Sequence, residues 1–381
     1  MRTDKPTVIQ PGAMLGVLGG GQLGRMFAIA AHQMGYQVTV LDPDLDSPAG
    51  RIADQFIHAD YADAAALRQM REQCAAITTE FENIPAETLA LLAKTCPVSP
   101  DAQSVAIAQN RIAEKQYLQS NGFSVAPFAV IDRIDQIVHV QQDLFPGILK
   151  VSQFGYDGKG QRQVGNQSGL NTAFKELGSV PCVLEKKLPL SCELSIVLAR
   201  SANGSMESFP VIENRHVNGI LDISIVPARI DATIAQRADT MARRLADALN
   251  YQGVLCVEFF VVQNDQLLIN EIAPRPHNSG HFSIDACVTS QFEQQVRTLC
   301  NLPLGNVALH QPCVMVNLLG DIWQEKAPDW TRILDQPSAK LHLYGKKEAR
   351  PGRKMGHFTV MGETAEKALA SALRIRESLT T

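Results

Sequence analysis

The residues best placed to do chemistry are two glutamates on neighbouring apolar segments. Val254-Leu-Cys-Val-Glu258-Phe-Phe-Val-Val is a nearly unbroken apolar strand with one carboxylate at its centre, and Leu267-Leu-Ile-Asn270-Glu271-Ile-Ala returns after Gln263–Gln266. If those four residues form the loop, Val262 pairs with Leu267 and Glu258 falls opposite Glu271 on one face; a three-residue loop would set Glu258 against Asn270 instead. Two carboxylates facing each other repel and lose hydration, so one is protonated or a cation bridges them. A divalent cation held by both carboxylates and by nucleotide phosphates, with Asn270 as a neighbouring oxygen donor, is the simpler chemistry.

A second constellation lies upstream. Gly147-Ile-Leu-Lys150-Val-Ser-Gln-Phe-Gly155-Tyr156-Asp157-Gly158-Lys159-Gly160-Gln161 reads as a strand, a loop with three glycines and a returning strand. A Walker A loop needs Lys-Ser/Thr after its last glycine and then a helix; here Gln161 and a strand follow, so the expectation is a glycine flap over polyphosphate. Val183-Leu-Glu185-Lys186-Lys187-Leu188, followed by Glu193, is a strand leaving into a polar turn. Such a turn can offer backbone groups to a purine edge while a carboxylate holds ribose hydroxyls, and it can equally be a solvated strand end. Beyond Glu271, the run Ala273-Pro-Arg275-Pro-His277-Asn-Ser-Gly-His281 offers charge and hydrogen bonds to a developing anion. Near the C-terminus, Lys346, Lys347, Arg350, Arg353 and Lys354 crowd beside a Pro-Gly turn, as an anion pocket or a solvated basic loop would.

At the other end of the chain, Gly19-Gly20-Gly21-Gln22-Leu23-Gly24 satisfies G-x-G-x-x-G, with Asp42 closing the next strand. Glycines there let backbone N–H groups approach an anion at a helix N-terminus. A dinucleotide, a phosphate-bearing substrate and a plain tight turn all satisfy that geometry.

Positioning these groups requires a particular order of elements. Apolar runs at Met14–Leu18, Gln37–Leu41 and Ala76–Thr79 alternate with helical spacing at Gly24–Met34, Ala62–Cys74 and Ala86–Lys94, the pattern of a small doubly wound parallel sheet ending near residue 110. A helix at Ile112–Gln119 leads into short strands at 147–151, 161–164, 182–185, 193–199 and 208–212, with a helix at 171–177, so the middle is α+β. A helix over Ala232–Leu249, the 254–271 hairpin, strands at 342–344 and 356–360 and a helix over Ala365–Ser378 complete the chain.

The 381 residues are enough for two or three domains, and 35 basic against 39 acidic residues give no bias toward nucleic acid or an anionic membrane. The eight cysteines form no CxxC pair, which fits free thiols in a reducing cytoplasm. No stretch approaches the ~20 apolar residues that span a bilayer.

In this order the motifs resemble the ATP-grasp superfamily. Gly20-Gly-Gln-Leu-Gly-Arg-Met26, Thr79-Glu80-Phe-Glu-Asn-Ile84, Phe154–Gln161, Asn270–His281 and Pro351-Gly-Arg-Lys-Met-Gly-His357 are similar, more closely, to the N5-carboxyaminoimidazole ribonucleotide synthetase family of purine biosynthesis. The resemblance implies an α/β and α+β chain: an N-terminal doubly wound pre-ATP-grasp domain (1–111), an ATP-grasp small flap domain (112–187), and a large domain with a C-terminal substrate-binding portion (188–381). It implies ATP- and bicarbonate-dependent carboxylation of 5-aminoimidazole ribonucleotide through carboxyphosphate, by a cytoplasmic homodimer. By motif position, Arg111, Lys150, Gly155–Gln161, Glu185, Lys186, Lys187, Leu188, Glu193, His216 and Asn270 would bind ATP, while Glu258 and Glu271 would hold Mg²⁺ or Mn²⁺. Tyr156, Asp157 and Lys159 would reach the intermediate. Arg275, His277, Lys346 and Arg353 would hold substrate phosphate or carboxyphosphate, with Gln22 and Glu80 meeting the ribonucleotide; Lys347 competes with Lys346, and Arg162 has no clear role. The rival activities are a formate-dependent glycinamide ribonucleotide formyltransferase of the same fold, an NAD-dependent oxidoreductase suggested by the glycine loop and Asp42, and a nucleotide sensor without turnover.

Overall fold

The computed structural model describes residues 7–155, 160–323 and 327–379. The first sheet has four parallel strands in the order Gln55–His58, Gln37–Asp42, Met14–Leu18, Ala76–Thr79. Its central strand is apolar without alternation because both faces are covered, as parallel sheets require. The helix Gln22–Gln33 follows it directly and buries Met26, Phe27, Ala30 and Ala31.

The helix Arg111–Ser120 connects this domain to the rest. Asn110 starts it, its side chain accepting from the Ile112 and Ala113 N–H groups at 2.9 and 3.3 Å; such a cap contributes about 1 kcal/mol. A four-stranded antiparallel sheet follows in the order Phe128–Ile131, Cys182–Lys186, Gly147–Val151, Gln161–Val164, with the helix Gln167–Glu176 packed against it. The third sheet is the largest, with nine strands. Gly253–Val262 sits between Gln266–Ala273 and the long Leu190–Arg200 strand, and Cys313–Leu319 joins this half to the C-terminal strands Lys354–Met361 and Ala339–Leu343.

Several elements depart from the sequence expectations. The strand expected over 208–212 is two strands, Met206–Ser208 and Ile212–Val217, because Phe209-Pro210-Val211 turns between them and proline has no N–H for a ladder. Strands Gln55–His58, Phe128–Ile131, Ile220–Val226 and Cys313–Leu319 and helices Ala102–Gln109 and Gln291–Leu299 had no sequence assignment. The last of these is consequential: Phe292, Val296 and Leu299 pack with Phe27 and Ala31 of the first domain in one apolar cluster. That contact welds the first domain to the large sheet. All eight cysteines are free, and seven are buried.

Candidate active site

The carboxylate hairpin arrives at its expected pairing by an unexpected route. Its loop spans Gln263–Asp265, so Val262 pairs with Gln266 rather than Leu267. That register runs back to Phe259 opposite Ile269 and would set Glu258 against Asn270. The ladder then shifts by one residue between Phe259 and Glu258, leaving Glu258 opposite Glu271. Asn270 is therefore the extra residue of a β-bulge, a device that re-aims side chains beside active sites.

Each carboxylate already meets a nitrogen of the chain. Glu271 Oε2 accepts from Arg111 at 2.9 Å, and Glu258 Oε1 lies 3.0 Å from His277 Nε2. The Asn270 amide donates to Glu258 Oε2 at 3.4 Å. Burial pushes the Glu258 carboxyl up, but His277, His216 and Asn270 together outweigh it and hold the group well below the usual carboxylate range. Asn270 Oδ1 is buried with no hydrogen-bond partner among the described residues.

The helix Arg111–Ser120 fixes the bulge through side chains at helical spacing i, i+3 and i+4, which share one face. Arg111 binds Glu271, Glu114 Oε1 accepts from the Ile272 N–H at 2.7 Å, and Lys115 Nζ donates to the Asn270 carbonyl at 2.6 Å. Glu114 and Lys115 carried no sequence signal of their own; their spacing from Arg111 and their charges in a half-apolar helix were the available clue. Burial raises the Glu114 carboxyl to about 7.

The hairpin that carries the glycines pairs Lys150 with Gln161. Tyr156, Asp157, Gly158 and Lys159 lie outside the described residues. Lys150 Nζ sits 3.1 Å from Glu185 Oε2, and Lys115 reaches the same oxygen at 3.6 Å. Burial raises the Glu185 carboxyl, yet the Lys150, Lys115 and Arg111 charges outweigh it and hold the group down at about 2. Burial also drives the Lys150 ammonium below its ordinary value, against the pull of Glu185.

In the Glu185–Leu188 segment, two of the backbone N–H groups that could meet a purine edge are already used. The Lys186 and Lys187 N–H groups already donate to Pro127 and Pro146 carbonyls at 2.9 Å, and the Lys187 side chain binds Gln163. Only the Leu188 N–H is left without a partner among the described residues. Below it, Ile148, Leu190 and Phe260 form an apolar wall of the cleft. Strand alternation signalled two of these three, since Ile148 shares the face of Lys150 and Phe260 that of Glu258. Glu193 pairs across the ladder with Phe260, and its carboxylate lies 2.9 Å from His216 Nδ1, so a carboxylate and an imidazole border this wall.

At the far end, the glycine loop is occupied by the chain itself. Gly21 and Gly24 N–H groups donate to the two Glu80 oxygens at 2.6 and 2.7 Å, and Gly20 donates to Asp42 at 2.6 Å. The acceptor at this helix N-terminus is the Glu80 carboxyl, which among the three alternatives the glycine spacing left open is the turn without a bound ligand. A Cβ on Gly21 would lie 2.3 Å from Glu80 Oε1, so the glycine is required by the carboxylate's approach. Arg275 and His277, expected to hold substrate anions, are both engaged inside the protein. Arg275 forms a two-pronged pair with Glu82 of the first domain, and His277 binds Glu258. Burial and the Arg275 charge act oppositely on Glu82, and the arginine prevails, holding the carboxyl at about 2.

One cleft of about 970 Å³ gathers these groups. Gln22, Glu80, Arg111, Lys150, Gly155, Gly160, Gln161, Glu193, His216, Glu258, Asn270, Glu271, Arg275, His277, Lys346 and Arg353 line it. Glu185 and Lys186–Leu188 stand outside its lining. Lys346 Nζ donates to the Lys354 carbonyl at 2.8 Å at the cleft wall, whereas Lys347 pairs with Asp46 on the surface. Arg162 binds Glu176 on an exposed face away from the cleft.

A doubly wound domain, a four-stranded antiparallel sheet and a large sheet sharing one charged cleft with a carboxylate pair define an ATP-grasp ligase. Residues 116–292 match the ATP-grasp domain, 13–109 the ribonucleotide synthetase preATP-grasp domain, and 313–371 the phosphoribosylaminoimidazole carboxylase C-terminal domain. The chain is 44% identical to the N5-carboxyaminoimidazole ribonucleotide synthase of Bacillus subtilis over 94% of each chain, and 44% identical to that of Brucella melitensis over 93% of this chain and 97% of the relative. It superposes on an ADP complex of an N5-carboxyaminoimidazole ribonucleotide synthetase with TM-score 0.92 at 42% identity, covering 99% and 100% of the two chains. The Aspergillus clavatus enzyme, solved with ADP and 5-aminoimidazole ribonucleotide, gives TM-score 0.89 at 31% identity, covering 97% and 99%. The chain belongs to the N5-carboxyaminoimidazole ribonucleotide synthase family. No helix among the described residues is long and apolar enough to cross a membrane.

Proposed function

We infer that this chain uses ATP and bicarbonate to carboxylate the exocyclic amine of 5-aminoimidazole ribonucleotide, giving N5-carboxyaminoimidazole ribonucleotide, ADP and phosphate in purine synthesis. The observation that carries this reading is the carboxylate pair Glu258–Glu271, set by the Asn270 bulge into a cleft that also holds Arg111, Lys150 and the Glu80 end.

Phosphoryl transfer depends chiefly on positioning and charge stabilisation, so the site needs cations and carboxylates rather than a nucleophilic side chain. A bicarbonate oxygen attacks the γ-phosphorus and ADP leaves. The resulting carboxyphosphate loses phosphate, and the amine adds to the carbon and gives up a proton to form the carbamate. Arg111 and Lys150 would meet the nucleotide phosphates under Gly155, Gly160 and Gln161, with Tyr156, Asp157, Gly158 and Lys159 completing the flap. Leu188 would offer its N–H to the purine edge, Ile148 and Phe260 would pack on the ring, and Glu193 with His216 would border the ribose. Glu185 acts on this site through Lys150, which it holds, and Lys186 and Lys187 through the backbone of the turn.

The residues present fit a divalent cation: Glu258 and Glu271 pair across the strands beside the bulge residue Asn270, whose buried Oδ1 has no hydrogen-bond partner among the described residues. Bound Mg²⁺ or Mn²⁺ would neutralise phosphate charge and orient the transferring group. Arg111 and His277 hold Glu271 and Glu258 in place for it. Gln22, Glu80, Lys346 and Arg353 would receive the ribonucleotide and the carboxylated intermediate at the other end, with the internally paired Arg275 and His277 shaping that end of the cleft. The same reading divides the chain at 111 and 187 into doubly wound, flap and large domains, and family resemblance supports a cytoplasmic homodimer.

ADP release measured with ATP and Mg²⁺ tests the reading. Release should require bicarbonate and aminoimidazole ribonucleotide together, and release indifferent to bicarbonate would overturn it.

A further inference from the structure

A line of buried hydrogen bonds runs from the metal-side carboxylate into the large sheet. Glu258 Oε1 meets His277 Nε2 at 3.0 Å, His277 Nδ1 meets Ser279 Oγ at 2.8 Å, and Ser279 Oγ meets Ser195 Oγ at 2.8 Å. Ser195 Oγ accepts from the Asn214 amide at 2.9 Å, and Asn214 Oδ1 accepts from the Ser224 hydroxyl at 2.9 Å. Ser195, Ser279 and Ser224 are fully buried, and Asn214 is 5% exposed, so water cannot substitute for any of these four.

The direction of this line is fixed. The Ser279 backbone N–H points at His277 Nδ1 at 3.3 Å, and an N–H only donates. Nδ1 is therefore an acceptor, and the ring proton sits on Nε2, aimed at Glu258. The hydroxyls follow suit. The Asn214 amide donates to Ser195, which leaves the Ser195 proton for Ser279 and the Ser279 proton for Nδ1. Within this line Ser195 and Ser279 each accept once and donate once.

We propose that Ser279, backed by Ser195 and Asn214, is a positioning residue that locks His277 in the Nε2–H tautomer. His277 then faces the cleft as a fixed hydrogen-bond donor that steadies Glu258 and not as a proton acceptor. Nothing in the sequence pattern assigned Ser195, Asn214 or Ser224 to the site. Partners of this outer kind fix ring orientation in metal centres, and their loss lowers activity or metal affinity by roughly 10–100-fold. The proposal builds on the function inferred above.

Long-range ¹H–¹⁵N correlation of the ¹⁵N-histidine-labelled full chain reads the tautomer directly, with His277→Gln identifying the signal. The expected wild-type pattern is a bare Nδ1 and a protonated Nε2. Ser279→Ala keeps the backbone N–H on Nδ1 but removes the hydroxyl that reinforces it, so it should raise the minor Nδ1–H population and lower kcat by roughly 10–100-fold with the KM for ATP little changed, and Ser195→Ala should act in the same direction more weakly. A wild-type ring protonated on Nδ1 would overturn the proposal whether or not the variants fold. So would Ser279→Ala with an unaltered tautomer and unaltered kcat. Absence of bicarbonate-dependent turnover beside the expected tautomer would remove the activity and leave the lock standing.

Discussion

Glu258 faces Glu271 across the hairpin because Asn270 is left over between Ile269 and Glu271. One extra residue converts a register that would oppose a carboxylate to an amide into one that opposes two carboxylates. Glu271→Gln should leave the fold intact, since Arg111 can still donate to the amide oxygen, while ATP turnover falls by about two orders of magnitude or more. Steady-state kinetics beside a thermal melt checks this, and near-normal turnover would remove the pair from the mechanism.

The glycine loop gives a prediction free of backbone strain. Gly21 has an ordinary φ of −73°, so alanine there is unpenalised by conformation and acts only by displacing Glu80. Gly21→Ala should raise the KM for the ribonucleotide at least tenfold with little change in the KM for ATP. An equal rise in both would mean that Glu80 is not confined to the ribonucleotide end.

The Glu82–Arg275 pair fixes a pH dependence. Glu82 has a folded pKa of about 2, below the ~4.3 of an unfolded glutamate, so its contribution is complete above pH ~4.3 and is lost as pH falls toward 2. Glu82→Gln should lower the melting temperature by a constant amount at neutral pH. Below pH 4 the gap from wild type should close, and a gap that persists unchanged would contradict the assignment.

Glu114 carries the opposite sign. Its folded pKa of about 7 lies above the unfolded value, so its contribution is complete below pH ~4.3 and disappears as pH rises through 7. Glutamine at this position still accepts from the Ile272 N–H. The melting temperature of Glu114→Gln, measured relative to wild type from pH 5 to 8, should rise; a flat difference would show that the carboxyl is not strained by burial.

Much of this site was legible as sequence because its groups lie on short runs with strong local pattern. The lone charge in an apolar strand marked Glu258, the glycines marked the turn between Lys150 and Gln161, and the strands Met14–Leu18, Ala76–Thr79, Gly147–Val151 and Gln161–Val164 have the bounds their sequence suggests. What escaped depends on partners far along the chain. A bulge has no signature in one strand, because it exists only relative to its neighbour. The glycine loop looks the same whether it receives a phosphate or Glu80, 59 residues away from Gly21. Lys115 gains its meaning from Asn270, 155 residues on, and Ser279 from Ser195 across the sheet. The strand Cys313–Leu319 and the helix Gln291–Leu299 are amphipathic or apolar pieces whose type is settled by what they cover.

On the function proposed above, bicarbonate is the nucleophile toward ATP in this cleft, and isotope transfer reads that bond formation directly. With ¹⁸O-labelled bicarbonate, ATP, Mg²⁺ and 5-aminoimidazole ribonucleotide, the phosphate released should carry one bicarbonate oxygen, because the bond made to phosphorus survives when carboxyphosphate breaks. Phosphate released at full rate without label would contradict the account.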